Sequence, residues 1–209
     1  TAVGWNICSN DTRNNVACSD RLSFNVQGAA VSNVLTQSRV CSVFLSNSTN
    51  GGTAIWSNPT NANSSDNTMA ATATGLGTQY TEWLQTYNCS FSMNSNATIL
   101  GIVVMIEKNG DPLVRSFDNE TRLTKAHQIA GDRKYNATVW NDADTQEFYG
   151  NSTDLWGATW TYSDINNYGF GAVFAGNSTI SALFNIDYMN ITIFYNESSA
   201  IDSFSFSIK

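Results

Sequence analysis

Short apolar runs, many of them alternating with polar residues, recur along most of the chain and are separated by turns rich in Asn, Gly, Ser and Asp. An alternation of two residues predicts half-buried β-strands, because successive side chains of a strand point to opposite faces. The runs predicted as strands are residues 22–26, 40–45, 83–87, 99–106, 113–117, 135–140, 156–161, 170–174, 183–195 and 204–208. About ten strands with almost no helix signal predict an all-β fold, a single antiparallel β-sandwich or jelly roll with extra terminal strands.

Three runs also predict which side chains are buried. Residues 99–106 are apolar on both faces, which is typical of a central strand that is covered on both sides. Within residues 189–193 the alternation turns Met and Ile inward and leaves Asn190 and Thr192 facing the solvent. The same reasoning applied to residues 135–140 places Tyr135, Ala137 and Val139 inside. It places Asn136, Thr138 and Trp140 outside, with Trp140 near the surface.

We expect one compact unit that consists of three segments. Residues 1–50 form an N-terminal extension that carries three of the four cysteines, residues 51–196 form the sandwich, and residues 197–209 add one C-terminal strand. No internal repeat and no sharp change of composition separates them.

The charged content of the chain is low, at 13% of 209 residues, against about a quarter in ordinary soluble domains. The balance is acidic, with 10 Lys and Arg against 17 Asp and Glu, so the chain lacks the basic patch that binds nucleic acid. No apolar run approaches the ~18 residues of a membrane-spanning helix. The chain begins at Thr1 without a charged and then apolar leader, which fits a mature form whose signal peptide has been removed.

N-glycosylation is predicted by the number of N-x-[ST] sequons. There are 11, about twice the number expected from the 26 Asn, 24 Ser and 22 Thr. Occupied sequons lie on the surface of proteins that pass through a secretory route, so we expect an extracellular or cell-surface glycoprotein. Asn88 is the weakest candidate, because a disulfide at its middle residue, Cys89, would compete with glycosylation. The other sequons begin at Asn10, Asn47, Asn63, Asn96, Asn119, Asn136, Asn151, Asn177, Asn190 and Asn196.

Four cysteines, Cys8, Cys18, Cys41 and Cys89, are an even number with no C-x-x-C spacing. Together with a single histidine, this spacing argues against a zinc site and for two disulfides in an oxidising compartment. Of the three possible connectivities we favour Cys8–Cys18 with Cys41–Cys89, because the first pair closes a short polar loop.

No residue pattern predicts catalysis. The only histidine, His127, has no G-x-S-x-G nucleophile motif to serve. The acidic residues lie mostly in predicted turns, and residues 141–144 lack the Gly and terminal Glu of a calcium-binding EF-hand loop. We therefore expect a protein that is not an enzyme and that needs no metal or cofactor beyond its attached glycans.

From Trp56 onward the chain resembles a β-sandwich module that recurs in extracellular and surface proteins, mostly without an assigned role. The resemblance covers about 140 residues and is most specific in the last third. It is carried by residues 56–59, Asp66, Leu84 and residues 97–104, 156–161, 164–166, 170–171, 186–188 and 191–195. The resemblance implies a fold and an extracellular setting, and it brings no catalytic residues.

Two functions fit these observations. The first is a structural one, a glycosylated subunit that joins head-to-tail with copies of itself in a fibre or surface coat. Phe204, Phe206 and Ile208 form an apolar face with no counterpart in the module, so this strand can add to the sheet of another copy. The alternation of Val3, Trp5 and Ile7 makes the N-terminus a rival donor, and both strands could instead pair within their own chain.

The alternative is a secreted carbohydrate-binding, lectin-like module. Exposed tryptophans or tyrosines can stack on the apolar face of a sugar ring. Most of the six tryptophans lie within predicted strands or motifs, however, which favours core packing for them.

Overall fold

The computed structural model describes residues 2–20, 22–25, 33–77, 79–110 and 115–197. By its internal contacts the chain divides into two units, one of residues 1–32 with 198–209 and one of residues 33–197. The predicted C-terminal strand, with Phe204, Phe206 and Ile208, lies outside the described residues.

The described residues of the smaller unit form four short strands, β1 (Ala2–Trp5), β2 (Cys8–Asn10), β3 (Val16–Cys18) and β4 (Leu22–Asn25). β1 pairs antiparallel with β4, and β2 pairs antiparallel with β3. The loop between β2 and β3 is ordered by Asp11, whose carboxylate accepts hydrogen bonds from the amides of Arg13 and Asn15. The Asn15 side chain donates a third hydrogen bond to this carboxylate. This bond has the largest effect, and the three together lower the pKa of Asp11.

The larger unit is a sandwich of two antiparallel sheets. Its strands are β5 (Leu35–Arg39), β6 (Val43–Asn47), β7 (Ala70–Thr74), β8 (Gln79–Tyr80), β9 (Trp83–Tyr87), β10 (Ala97–Gly110), β11 (Phe117–Lys125), β12 (Gln128–Lys134), β13 (Thr145–Asn151), β14 (Gly171–Ser178) and β15 (Ala182–Glu197). The five-stranded sheet has the order β13-β10-β15-β5, with β7 also paired to β15. The six-stranded sheet has the order β12-β11-β14-β9-β6, with β8 also paired to β14. Among the described residues one α-helix, α1 (Tyr162–Ile165), precedes β14, and Ser48–Asn50 and Pro59–Ala62 form short 3-10 helices.

The predicted all-β sandwich is therefore confirmed. The apolar runs predicted at residues 83–87, 99–106, 170–174 and 183–195 lie in β9, β10, β14 and β15. Two strands from the segment that was expected to be an extension, β5 and β6, pair with β15 and β9. The sheets thus begin earlier in the chain than residue 51.

Long strands at the centre of the five-stranded sheet provide much of the core. β10 and β15 pair along nearly their whole length. Met189, Ile191 and Ile193 are buried and Asn190 and Thr192 are partly exposed, as the alternation predicts. Each fully buried aliphatic side chain contributes roughly 1.5–3 kcal/mol to folding, so this paired seam stabilises the sandwich substantially.

The prediction of a strand at residues 135–140 is wrong. β12 ends at Lys134, and the following residues form a loop. Without a strand the side chains do not alternate, so Tyr135 and Val139 are exposed. Trp140, which was expected near the surface, is 4% exposed and packs on Phe174 and Phe184.

The prediction of a strand at residues 156–161 is also wrong, because the backbone turns there. Trp156 and Gly157 both have the left-handed conformation, with φ of 57° and 66°. The Trp156 ring is fully buried, and its indole N–H donates to the carbonyl of Ile102 at 2.8 Å. A Cβ on Gly150 would lie 2.8 Å from the Trp156 indole nitrogen, so only glycine permits this packing.

Candidate functional site

A buried group of polar side chains lies between the two sheets, and we call it the Lys108 cluster. It consists of Lys108 on β10, Asp118 on β11, Tyr149 on β13 and Trp140 in the loop after β12. Lys108 continues the inward-facing series of Ile102, Val104 and Ile106, because every second residue of a strand faces the same side. Lys108 and Asp118 each lie beside a register shift in their strand, and such bulges redirect side chains.

The Asp118 carboxylate is the hydrogen-bond acceptor of the Lys108 cluster. Its Oδ1 accepts from Lys108 Nζ at 2.5 Å and from Trp140 Nε1 at 2.9 Å. Its Oδ2 accepts from the Tyr149 hydroxyl at 2.8 Å and from the amide of Asn136 at 2.8 Å. Lys108 Nζ also donates to the Tyr149 hydroxyl, at 2.7 Å. The four polar side chains thus serve as hydrogen-bond partners for one another inside the core, as buried polar groups require.

Burial dominates the electrostatics of the Lys108 cluster. It lowers the pKa of Lys108, and the nearby Asp118 carboxylate opposes this effect. Burial together with the negative charge of Asp118 raises the pKa of Tyr149, so its hydroxyl stays protonated.

The Lys108 cluster was not predicted from the sequence. The one sequence feature that indicates the cluster is the position of Lys108, two residues after Ile106 on the inward face of a predicted strand.

A second feature is a groove on the outer face of the six-stranded sheet, which we call the Trp83 groove. Trp83 and Gln85 lie on the face opposite the buried Leu84. The Trp83 indole is partly exposed and donates to Glu120 at 2.7 Å. The groove has a volume of about 480 Å³ and is lined by Asn47, Thr49, Trp83, Gln85, Thr124, His127, Gln128, Ile129 and Val173.

The sequon asparagines are all on the surface or partly exposed, and none belongs to the core. Asn10, Asn63, Asn96 and Asn151 are exposed. The partly exposed asparagines are Asn47, Asn88, Asn119, Asn136, Asn177, Asn190 and Asn196. Their positions are compatible with glycosylation, which stays a prediction.

Two sequon asparagines lie beside features described above. Asn47 ends β6 at the rim of the Trp83 groove, where its side-chain amide donates to Gln85. Asn136 donates from its backbone amide to Asp118 and from its side chain to Glu147, at 2.9 Å. A glycan on Asn47 would therefore stand in the Trp83 groove.

The outer edge of β5 is the third feature. Leu35, Gln37 and Arg39 lie opposite Tyr195, Ile193 and Ile191 of β15, so they share the core-facing side of the sheet. The β15 residues are buried, but Leu35 is 39% exposed. Among the described residues no other strand pairs with β5. The sandwich core is thus only partly covered at this edge.

The structure pairs the cysteines as predicted, Cys8 with Cys18 and Cys41 with Cys89. The second disulfide is buried and joins the segment between β5 and β6 to the segment after β9. His127 is exposed and packs edge-on against the rings of Tyr87 and Tyr168. Within the described residues, His, Cys, Asp and Glu side chains form no group of three that could hold a metal ion.

The described part of the chain contains no helix that is long and apolar enough to cross a membrane.

The N-terminal segment is one of the two segments that were predicted to add as a strand to another copy. Its residues Val3 and Trp5 lie in β1, which pairs with β4, and Ile7 is exposed beyond the end of β1. The sequence interpretation did not foresee the open edge of β5, because burial at a sheet edge depends on which strands become neighbours.

Comparison with solved structures gives remote likenesses in fold. No family model and no curated protein matches the chain. A solved structure described as "CBM4 structure and function" aligns with 75% of this chain and 92% of its own, with a TM-score of 0.39 and 6% sequence identity. The assignment of the chain as an all-β sandwich rests on its own strand pairing.

Proposed function

We propose that this protein is a non-catalytic, N-glycosylated structural subunit of an extracellular fibre or surface coat, assembled head-to-tail by strand addition. The observation that carries the proposal is the outer edge of β5, which pairs with no other strand of the described residues. Leu35 faces the core side of the sheet and is 39% exposed, as expected of a sandwich that lacks one neighbouring strand.

The C-terminal segment of a neighbouring copy is the occupant that we assign to this edge. Residues 204–208 are five residues long, as is β5, and Phe204, Phe206 and Ile208 all lie on one face of an extended strand. Paired to β5, that face would cover the core side, and Ser205 and Ser207 would face the solvent. The rival donor β1 is less suited, because β4 already occupies one of its edges.

Sequon positions support the same edge. The end strand β13 carries the sequon Asn151, and the end strand β6 carries the sequon Asn47. The end strand β12 carries Asp132, Arg133 and Lys134, and such charges discourage pairing. β5 contains no sequon. Glycans and charges would thus protect β13, β6 and β12, whereas β5 carries a single charge, at Arg39.

A charge placed on the β5 edge tests the proposal. Leu35→Lys should abolish polymer formation, because an ammonium cannot be buried under an added apolar strand. Leu76→Lys introduces the same charge at an exposed apolar residue in the turn after β7, and it should polymerise like the wild type. Polymer length is measured by light scattering and electron microscopy. Normal polymers from Leu35→Lys would contradict the assigned edge.

Removal of the glycans should cause aggregation or loss of solubility. With 13% charged residues and several sheet edges, the chain has few ions to keep its surface solvated. The measurement is turbidity and sedimentation after enzymatic deglycosylation, compared with a mock-treated sample. If the deglycosylated protein stays soluble and dispersed, glycans do not have this role.

The Trp83 groove supports carbohydrate binding as a second candidate function. It combines a partly exposed indole with amide, hydroxyl and imidazole groups, a set that suits the apolar faces and hydroxyls of sugars. If the groove binds glycans, Trp83→Ala should weaken binding on a glycan array by about tenfold or more, equivalent to ~1.4 kcal/mol. Tyr80→Ala removes a ring that is exposed outside the groove and should bind normally. A glycan found on Asn47 would occupy the groove and argue against this candidate.

A further inference from the structure

Lys108 is a buried nucleophile that the proposed function does not use. Lysine is among the residues least often buried, yet Lys108 is 5% exposed and lies in the core of the sandwich. Its Nζ lies 4.9 Å from the ring centre of Trp140, 5.4 Å from that of Tyr149 and 5.8 Å from that of Phe174. An ion pair in such a place gives little net stability compared with apolar residues of the same size. Its presence in the core therefore points to a chemical role.

We propose that Lys108 and Asp118 react with each other to form an intramolecular isopeptide bond between the two sheets. The geometry carries this inference. Lys108 Nζ is 2.5 Å from Asp118 Oδ1, and the Tyr149 hydroxyl touches both Nζ, at 2.7 Å, and the other carboxylate oxygen, at 2.8 Å. An amine, a carboxyl group and a proton relay are thus held together in a largely buried site, and such an arrangement speeds bond formation greatly.

The reaction begins with proton transfer within the buried pair. The Lys108 ammonium gives a proton to the Tyr149 hydroxyl oxygen, and Tyr149 passes its own proton to Asp118 Oδ2. The result is a neutral amine beside a neutral carboxylic acid. Burial favours the neutral amine, since it lowers the pKa of the Lys108 ammonium, and it keeps a proton on the Tyr149 hydroxyl.

Bond formation then follows without any other reactant. The Nζ lone pair attacks Asp118 Cγ, the N–C bond forms, and the C=O electron pair moves to Oδ1, where the Trp140 indole N–H stabilises the negative charge. A second proton passes from Nζ through Tyr149 to Oδ2. The electron pair returns from Oδ1, the Cγ–Oδ2 bond breaks, and one water leaves. The product is a secondary amide with one N–H, so atoms and charges balance.

The surroundings fit this single-turnover reaction. A cavity of about 40 Å³ adjoins Lys108 and is lined in part by Thr138, Asn141 and Glu147. This volume is enough to hold the released water. The bond would join β10 of one sheet to β11 of the other, so the sheets could not separate under heat or tension. Formation of this bond does not require the protein to polymerise.

Peptide mapping of the wild-type protein tests the bond. The protein is deglycosylated, reduced, alkylated and digested with trypsin and a glutamate-specific protease. The bond predicts residues 108–115 joined to residues 116–120, with a mass lower than the sum of the two peptides by one water, because trypsin cannot cut after a modified Lys108. Free peptides 109–115 and 116–120 at their sequence masses would overturn the proposal.

Variants test the roles of the individual groups. Lys108→Arg and Asp118→Ala should yield only free peptides. Peptide mapping detects the free peptides even if a variant folds poorly. Tyr149→Phe keeps the ring and removes the hydroxyl relay, so the linked peptide should accumulate much more slowly after synthesis than in the wild type. Linking of Tyr149→Phe at the wild-type rate would contradict the relay.

Discussion

Deleting residues 201–209 should convert the polymer into single subunits, which is the largest change that we expect from any alteration of this chain. The deletion removes Phe204, Phe206 and Ile208, the apolar face assigned to the open edge of β5. Strand addition depends on main-chain hydrogen bonds along the whole donor and on alternate side chains for specificity, so a subunit without its donor cannot extend the chain. The sandwich of residues 33–197 keeps all its described strands and should fold normally.

Mixing the shortened subunit with the full-length subunit tests the role of the C-terminal strand more strictly. The shortened subunit keeps its β5 edge, so it should still accept the strand of a full-length neighbour and end the growing polymer. Increasing its share in a mixture should therefore shorten the polymers progressively, as measured by electron microscopy. Polymers of normal length from the shortened chain alone would eliminate the C-terminal donor and favour the N-terminal strand with Val3, Trp5 and Ile7.

Asp118→Ala should lower the free energy of unfolding by roughly 3–5 kcal/mol, because removing one partner leaves the other charge buried without compensation. The substitution takes the acceptor from Lys108, Trp140 and Tyr149 at once. Chemical denaturation followed by tryptophan fluorescence measures the loss. A decrease below about 1 kcal/mol, the range of exposed ion pairs, would show that the Lys108 cluster does not stabilise the fold.

A matched double variant distinguishes an ion pair between Lys108 and Asp118 from a covalent bond between them. Lys108→Met with Asp118→Leu replaces both charges with apolar side chains of similar size, and such replacements of buried ion pairs are often neutral or stabilising. If the two residues form only an ion pair, the double variant should recover most of the lost stability. With the isopeptide bond in the wild type, the double variant should stay well below it, because the bond between the sheets is lost as well.

The apolar strands were predictable from the sequence, and the polar strands were not. β9, β10, β14 and β15 contain consecutive or alternating apolar residues whose burial decides their conformation. β12 and β13 were missed because Gln, Asp, Arg, Lys, Glu and Gly interrupt any alternation. They are strands because β11 and β10 supply hydrogen-bond partners for their backbones.

The candidate sites depend on contacts between distant parts of the chain, which local patterns do not contain. Trp140 ends an alternating segment that predicts it on the outside, yet the loop that carries it turns inward and its indole N–H donates to Asp118. The pairing of Lys108 with Asp118 crosses from one sheet to the other, so no spacing rule along the sequence predicts it. The disulfides were within reach of prediction, because the chain has only four cysteines and two of them close a short loop.

Electron microscopy of the purified, glycosylated, full-length protein tests the central claim most directly. We predict filaments or sheets with a regular repeat of one subunit, in which β5 of each copy is paired with a strand from its neighbour. Discrete single particles at high protein concentration, with the C-terminal strand paired inside its own chain, would contradict the account.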